Sequence, residues 1–103
     1  MLEWLANLIA RELKLPYLIT VKELTKRVDP KEDCYALWDG NTHTIWLRLN
    51  NPNGHRYTTR HLITCIVHEL AHATHPQHGA AFRREQLRIA RIARKLLHAR
   101  TLR

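Results

Sequence analysis

One apolar helix rich in histidine constrains the fold of this chain more than any other feature of its sequence. Five of the eight histidines lie between residues 61 and 78. In the same stretch, apolar residues recur at helical spacing and cover a broad surface: Leu62, Ile63, Ile66, Val67, Leu70 and Ala71. We expect a helix that begins at Thr58 or Thr59 and ends near His75, before Pro76 and Gly79. A helix with so wide an apolar surface belongs at the centre of a small domain.

Within this helix, the sequence His68-Glu69-Leu70-Ala71-His72 places two imidazoles one turn apart on the same face. Both rings can therefore bind one cation. Glu69 lies beside them and can act as general base toward a water molecule bound to that cation. The H-E-x-x-H pattern is typical of zinc metallopeptidases, whose catalytic zinc has three protein ligands and one open position. The pattern predicts one catalytic Zn²⁺ and a third ligand from elsewhere in the chain.

Two histidines that follow the motif are candidates for the third ligand. His75 continues the same helix face, whereas the turn predicted after it brings His78 to the metal from another side. We favour His78, because three ligands on one straight helix cannot surround a tetrahedral ion well. His75 stays the alternative, and Glu85 is a weaker candidate. A structural zinc site is the competing interpretation. Cys65 lies one turn before Glu69 and not one turn before His68, so it is poorly placed to be a ligand and is interpreted as a core residue.

The remaining segments predict an α+β fold with a small antiparallel sheet packed against the histidine-rich helix. The expected elements are a helix over 2–13, a strand over 17–24, a turn over 28–33, hairpin strands over 34–38 and 43–49, and a helix over 80–99. Asp39-Gly40 supplies the turn signal of the hairpin. No linker or repeat interrupts the chain, so residues 1–103 are expected to form a single domain that ends in a basic helix over 80–103.

Three sequence motifs between residues 36 and 87 point to a known family: HTIWLRLN, HELAH and HATHPQHGAAF. A third histidine follows the second by six residues and an aromatic residue comes four residues later, here His78 and Phe82. In this spacing the chain resembles the WLM family of small zinc metalloproteases and, more widely, the SprT-like proteases. The resemblance implies a minimal zincin fold with N- and C-terminal helices, zinc bound by His68, His72 and His78, and Glu69 as general base. Eukaryotic members of these groups cut proteins that are crosslinked to DNA.

Positive charge is concentrated at the C-terminal end of the chain. The net charge is +8 at pH 7, and residues 79–103 contribute all but one of these charges. A basic face of this kind suggests an acidic partner: nucleic acid, an anionic membrane or an acidic protein. The candidate contacts with nucleic acid are Arg83, Arg84, Arg88, Arg91, Arg94 and Lys95. The alternative function is thus a nucleic-acid-binding module with a structural or vestigial zinc site, and both functions combine if this helix holds a protease on DNA.

The substrate and the cellular location are expected from the same observations. A protein or peptide is the expected substrate, bound in extended form at the sheet edge by strand 43–49. His55, Arg56 and Tyr57 are candidate donors to the oxyanion that forms in the reaction, and His61 is interpreted as a solvated histidine. Two cysteines, no signal peptide and no membrane-spanning apolar run predict a cytoplasmic protein.

Overall fold

The computed structural model describes residues 2–25 and 36–101, which form three helices and a three-stranded sheet. The α+β class expected from the sequence is therefore confirmed. The elements are α1 (Leu2–Glu12), β1 (Thr20–Glu23), β2 (Ala36–Asp39), β3 (Thr44–Leu47), α2 (Thr59–Thr74) and α3 (Ala80–Thr101). The helices match their predicted bounds closely, and the strands are shorter than predicted. The predicted turn over 28–33 and Cys34 lie outside the described residues.

The sheet is mixed, which corrects the expectation of a wholly antiparallel one. Its strand order is β1-β3-β2. The predicted hairpin is present, with Trp38 of β2 opposite Ile45 of β3, whereas β1 runs parallel to β3, with Thr20 opposite Thr44. Alternation of side chains along the sequence identifies a strand but not its direction relative to its partner, because both directions present the same side chains to the same face.

The central position of β3 overturns a second expectation, that strand 43–49 binds substrate at an edge of the sheet. Thr20 N–H donates to the carbonyl of His43 at 3.0 Å, and Leu24 N–H donates to the carbonyl of Leu47 at 2.7 Å. β2 occupies the other side of β3. Within the described part of the chain, β1 and β2 are the edge strands, and β2 is the one in contact with α2.

The hairpin turn uses His43 rather than Gly40 as its left-handed residue. The φ angle of His43 is 52°, and the Asp39 carboxylate accepts a hydrogen bond from the N–H of Asn41 at 2.9 Å. The His43 imidazole stacks on the ring of Tyr17, with 3.6 Å between ring centroids. This contact joins the turn to the segment before β1 and offsets part of the cost of a left-handed conformation for a residue with a side chain.

Hydrogen bonds fix the end of α1 and join its centre to the residue that precedes β1. It ends in a Schellman-type cap, with Lys14 in the left-handed region at φ 59° and the N–H of Leu15 donating to the carbonyl of Ala10 at 3.0 Å. The side-chain amide of Asn7 bonds both backbone groups of Ile19, each at 2.8 Å. The chain thus leaves α1 in a fixed direction and enters β1 at a fixed position.

Helix α2 lies at the centre of the fold, as predicted. It packs against α1, α3, β2 and β3. The largest fully buried side chains come from the three helices, β3 and the segment before β1: Leu5, Ile9, Ile19, Ile45, Leu47, Ile66, Leu70 and Ile89. Of the three tryptophans, Trp38 is half-buried and packs against this core, Trp46 is half-buried, and Trp4 is 43% exposed. Among residues 2–25 and 36–101, no helix combines the length and apolar character needed to cross a membrane.

Candidate metal centre

Helix α2 is fixed at its start and along its buried face, and this sets the direction of its histidines. Thr58 is the N-cap, and its hydroxyl accepts a hydrogen bond from the N–H of His61 at 3.2 Å. Leu62, Ile66 and Leu70 occupy the core side of the helix. His68 and His72, four residues apart, therefore lie together on another side, where both are half-buried.

The structure brings the ring nitrogens of His68, His72 and His78 together. Nε2 of His78 lies 2.9 Å from Nε2 of His72 and 3.3 Å from Nε2 of His68. One nitrogen from each ring lies within 4.8 Å of the other two. In a tetrahedral zinc site with Zn–N distances of about 2.0–2.1 Å, ligand nitrogens lie about 3.3–3.4 Å apart. The measured spacings are close to this value, and the three histidines can hold a metal ion.

The conformation of the chain at the end of α2 places His78, and not His75, in the cluster. His75 is the C-cap residue, with φ −134° and ψ 88°, and its N–H still donates to the carbonyl of Ala71 at 2.9 Å. The chain leaves the helix here and starts α3 at Ala80, which places His78 over the last turns of α2. The Nδ1 atom of His75 instead lies 2.9 Å from the hydroxyl of Thr74, and His75 is outside the cluster.

Glu85, the weaker candidate for the third ligand, has another partner. Its carboxylate accepts a hydrogen bond from the guanidinium of Arg88 at 2.7 Å, one turn later on α3. It is not a member of the cluster formed by the three histidines.

Two side chains of α3, Phe82 and Gln86, contact the histidine rings of the cluster. Phe82 is buried, and its ring centroid lies 5.0, 4.6 and 4.9 Å from those of His68, His72 and His78. The side-chain oxygen of Gln86 lies 2.9 Å from Nδ1 of His68. Because an amide oxygen can only accept, Nδ1 carries the proton and Nε2 keeps its lone pair for a metal. The sequence analysis assigns no function to Gln86. The feature that could have identified it is its position, since it is a polar residue one turn after Phe82 on the same helix.

Glu69 is buried, with only 7% of its surface exposed. This burial raises the pKa of its carboxyl to about 7, since a charged carboxylate is poorly solvated there. Burial also lowers the pKa of the His72 imidazole, and the neighbouring His68 and His78 lower it further. The neutral imidazole is the form that binds a metal. The centre thus combines histidines suited to a cation with a carboxyl that can take up or release a proton near neutral pH.

Tyr57, His61 and Cys65 contact one another in series at the beginning of α2. Nε2 of His61 lies 3.6 Å from Sγ of Cys65, and the His61 ring stacks on Tyr57 with 4.2 Å between centroids. The sequence predicts a solvated His61 and a core Cys65; in the structure both are half-buried, and Cys65 packs against the core. Of the three candidate oxyanion donors, Tyr57 belongs to this chain of contacts, whereas His55 and Arg56 are exposed.

The outer face of α3 carries the predicted basic residues, and all of them are exposed. They are Arg83, Arg84, Arg88, Arg91, Arg94 and Lys95. Arg88 is paired with Glu85, the single acidic residue of this helix. The remaining five give the helix a surface that is positive along three turns.

The chain matches no protein-family model, no curated protein and no solved structure. The site is therefore interpreted from its own donors. Within residues 2–25 and 36–101, the cluster consists of three imidazoles without a fourth histidine, cysteine or carboxylate ligand. Structural zinc sites usually have four protein ligands, whereas catalytic sites have three and leave one position open. The described donor set is thus three imidazoles that can hold one metal ion.

Proposed function

We propose that this protein is a zinc-dependent metallopeptidase related to the WLM and SprT-like families, with His68, His72 and His78 as zinc ligands and Glu69 as general base. One observation carries the proposal: Nε2 of His78 lies near tetrahedral ligand spacing from Nε2 of His68 and of His72, two residues of the helix that also holds the buried Glu69. Three imidazoles with an open fourth position are a ligand set of catalytic zinc. When bound, zinc polarises the scissile carbonyl and lowers the pKa of the attacking water.

Glu69 moves the proton in this reaction. It accepts a proton from the attacking water and passes it to the nitrogen of the leaving amine as the C–N bond breaks. Both transfers are efficient when the pKa of the carboxyl lies near the working pH. A glutamate in water has a pKa of about 4.3 and is a weak base. The pKa of about 7 caused by the burial of Glu69 supports its role.

The proposed substrate is an extended peptide segment that pairs with β2. Among the described residues, β2 is the edge strand in contact with α2, and Leu37 within it is 40% exposed. A peptide added to this edge makes main-chain hydrogen bonds that do not depend on its sequence. It would lie along the side of the sheet nearest to the helix that carries the histidines.

The decisive experiment compares Glu69→Gln with the wild-type protein after zinc loading. We expect the variant to keep its zinc, because the three histidines are untouched, and to lose cleavage of casein by at least about 100-fold, as general-base loss typically costs. Zinc is measured by elemental analysis, and cleavage by release of labelled peptide. Glu85→Gln is the matched control, because the same substitution there removes a carboxylate that binds Arg88 outside the cluster.

Two results would contradict the proposal. The first is full cleavage by Glu69→Gln, which would show that another group moves the proton. The second is a wild-type protein that binds zinc but cleaves neither casein nor a protein bound to DNA, in which case the site is not that of a peptidase.

The second candidate function is nucleic-acid binding through α3. The exposed basic residues of this helix, with Glu85 as their single acidic neighbour, favour it. Arginine and lysine side chains along one helix face can neutralise successive phosphates. This function needs no zinc, and it is compatible with a peptidase that acts on DNA-associated proteins.

Titration of duplex and single-stranded DNA at two salt concentrations, with and without a chelator, tests this candidate. We expect binding that weakens steeply with salt, since phosphate contacts release counterions, and that does not change with the chelator. Arg84→Glu combined with Lys95→Glu should abolish it. Binding at low salt that these two substitutions leave unaltered would exclude α3 as the nucleic-acid surface.

A further inference from the structure

A groove with a volume of about 560 Å³ lies between α2 and α3, on a different side of α2 from the metal centre. Ile63 and Val67 of α2 and Leu87, Ala90 and Leu97 of α3 supply most of its apolar wall. Leu87 is 58% exposed, which is high for a leucine in the middle of a helix. From residue 86 to residue 97 the groove follows α3 for about 16 Å, or three helical turns.

The ends and rims of this groove are positively charged. Arg60 of α2 and Arg94 of α3 line it directly. Arg83 and Arg91 lie four residues before and four residues after Leu87, and therefore flank the groove on the α3 side. The described residues that line the groove include no aspartate or glutamate. Within the described part of the chain, the groove thus has an apolar floor between positive rims.

The shape of the groove fits a helix better than an extended strand or a flat surface. Two packed helices leave a furrow into which a third helix can lay its apolar side, at interaxial distances of about 8–10 Å. Ala90 and Ala93 are small and let a helix backbone come close to α3. A second copy of α3 is a poor occupant, because its own arginines would meet those of the groove. Charge complementarity calls for acidic flanks on the incoming helix.

We propose that this groove is a docking site for an amphipathic helix of a partner protein, with apolar residues at i, i+3, i+4 and i+7 and with acidic residues on both flanks. The apolar side covers Leu87 and its neighbours, and the acidic flanks pair with Arg60 and Arg94. Gln86 belongs both to the groove wall and to the support of His68, so the partner would sit beside the metal centre. The inference does not depend on peptidase activity, because no zinc ligand lies in the groove wall.

The test uses the full chain and a fluorescent helical peptide of fourteen residues with leucines on one side and glutamates on both flanks. We expect saturable binding by fluorescence anisotropy, equal with and without a zinc chelator. Leu87→Glu and Arg94→Glu should each weaken it at least about tenfold, the loss that corresponds to about 1.4 kcal/mol. Both side chains are exposed, so these variants should keep the wild-type circular dichroism spectrum.

Two matched variants serve as controls. Leu18→Glu introduces the same charge at a leucine that is 82% exposed but lies before β1, and Arg84→Glu makes the same charge reversal on α3 outside the groove wall. Each should change the affinity by less than about twofold, as rim substitutions usually do.

Four results would overturn the proposal. If Arg84→Glu weakens binding as much as Arg94→Glu does, the binding is explained by general attraction between opposite charges and not by the groove. Equal affinity for a peptide with lysine flanks would exclude the acidic helix, and loss of binding with the chelator would place the peptide at the metal centre. Vesicles of phosphatidylglycerol that bind through Leu87 while the peptide does not bind would make the groove a lipid site.

Discussion

At the scale of single residues, Glu69 opposes folding at neutral and alkaline pH. Its carboxyl is buried within α2, and this raises its pKa to about 7. Above that pH, the folded protein without metal must hold a buried negative charge that the unfolded chain exposes to water. An alanine or leucine at this position would be more stable in the core. Residues that lower the stability of the fold in this way are typical of functional sites.

In the metal-free protein, we therefore expect Glu69 to make the free energy of unfolding fall as the pH rises. The folded pKa of about 7 lies above the unfolded value of about 4.3, so the favourable contribution of the protonated carboxyl is complete below the unfolded pKa and is lost as the pH rises through 7. Urea unfolding at pH 5 and pH 8 in a chelator measures it. The loss should be smaller in Glu69→Gln by up to about 3 kcal/mol, and unchanged in Glu85→Gln. Equal losses in wild type and Glu69→Gln would contradict the burial of this charge.

Gln86 sets the orientation of His68, and its removal should weaken zinc binding. Without the acceptor at 2.9 Å from Nδ1, the ring loses its fixed tautomer, and loss of such supporting contacts typically costs about 10–100-fold in metal affinity. Competition with a chromophoric chelator measures the affinity of Gln86→Ala. Gln86→Glu keeps an acceptor and should restore binding, while Leu87→Ala, at the next position, should have no effect. An unaltered affinity in Gln86→Ala would mean that packing against Phe82 alone holds the ring.

At the scale of elements, Asn7 attaches α1 to the strand it precedes. Its amide satisfies both backbone groups of Ile19, which is 1% exposed. Asn7→Ala leaves these groups without a partner, and we expect a loss of about 1–3 kcal/mol in the free energy of unfolding. Urea denaturation followed by circular dichroism measures this loss. Asn53→Ala, in the exposed loop before α2, is the control, and a loss of the same size there would argue against a special role for Asn7.

The helices and the hairpin could be predicted from the sequence because their signals are local. Thr58 as cap and the apolar spacing of α2 set the bounds of that helix within a residue. The parallel pairing of β1 with β3 could not be predicted, because it depends on where α1 places Thr20. The left-handed conformation of His43 was equally hidden, since Asp39-Gly40 is the stronger turn signal and the stack on Tyr17 joins residues far apart in the sequence.

The candidate site also contains residues that the sequence predicts and a contact that it does not. His68, Glu69 and His72 follow from helical periodicity alone, and the turn after α2 distinguishes His78 from His75. The contact between Gln86 and His68 required the packing of α3 on α2, which no local pattern specifies. Tertiary contacts thus account for what remained unpredicted.

At the scale of the whole molecule, a metal bound by His68, His72 and His78 would cross-link α2 to the segment that precedes α3. We expect zinc to raise the free energy of unfolding by about 2.7 kcal/mol when its concentration is 100-fold above Kd. Thermal unfolding with and without zinc measures the gain. His75→Ala should keep the gain and His78→Ala should lose most of it. The reverse pattern would exchange the third ligand.

The place of β3 between two strands also protects the fold against errors of alignment. Its four residues are matched once against β2 and once against β1, so each neighbour constrains the register of the other. A slip of one residue would turn Ile45 and Leu47, both fully buried, toward the face of Trp46, and it would do so against both partners at once. The three described strands are thus held in one register, and the turn at His43, directly before β3, sets that register.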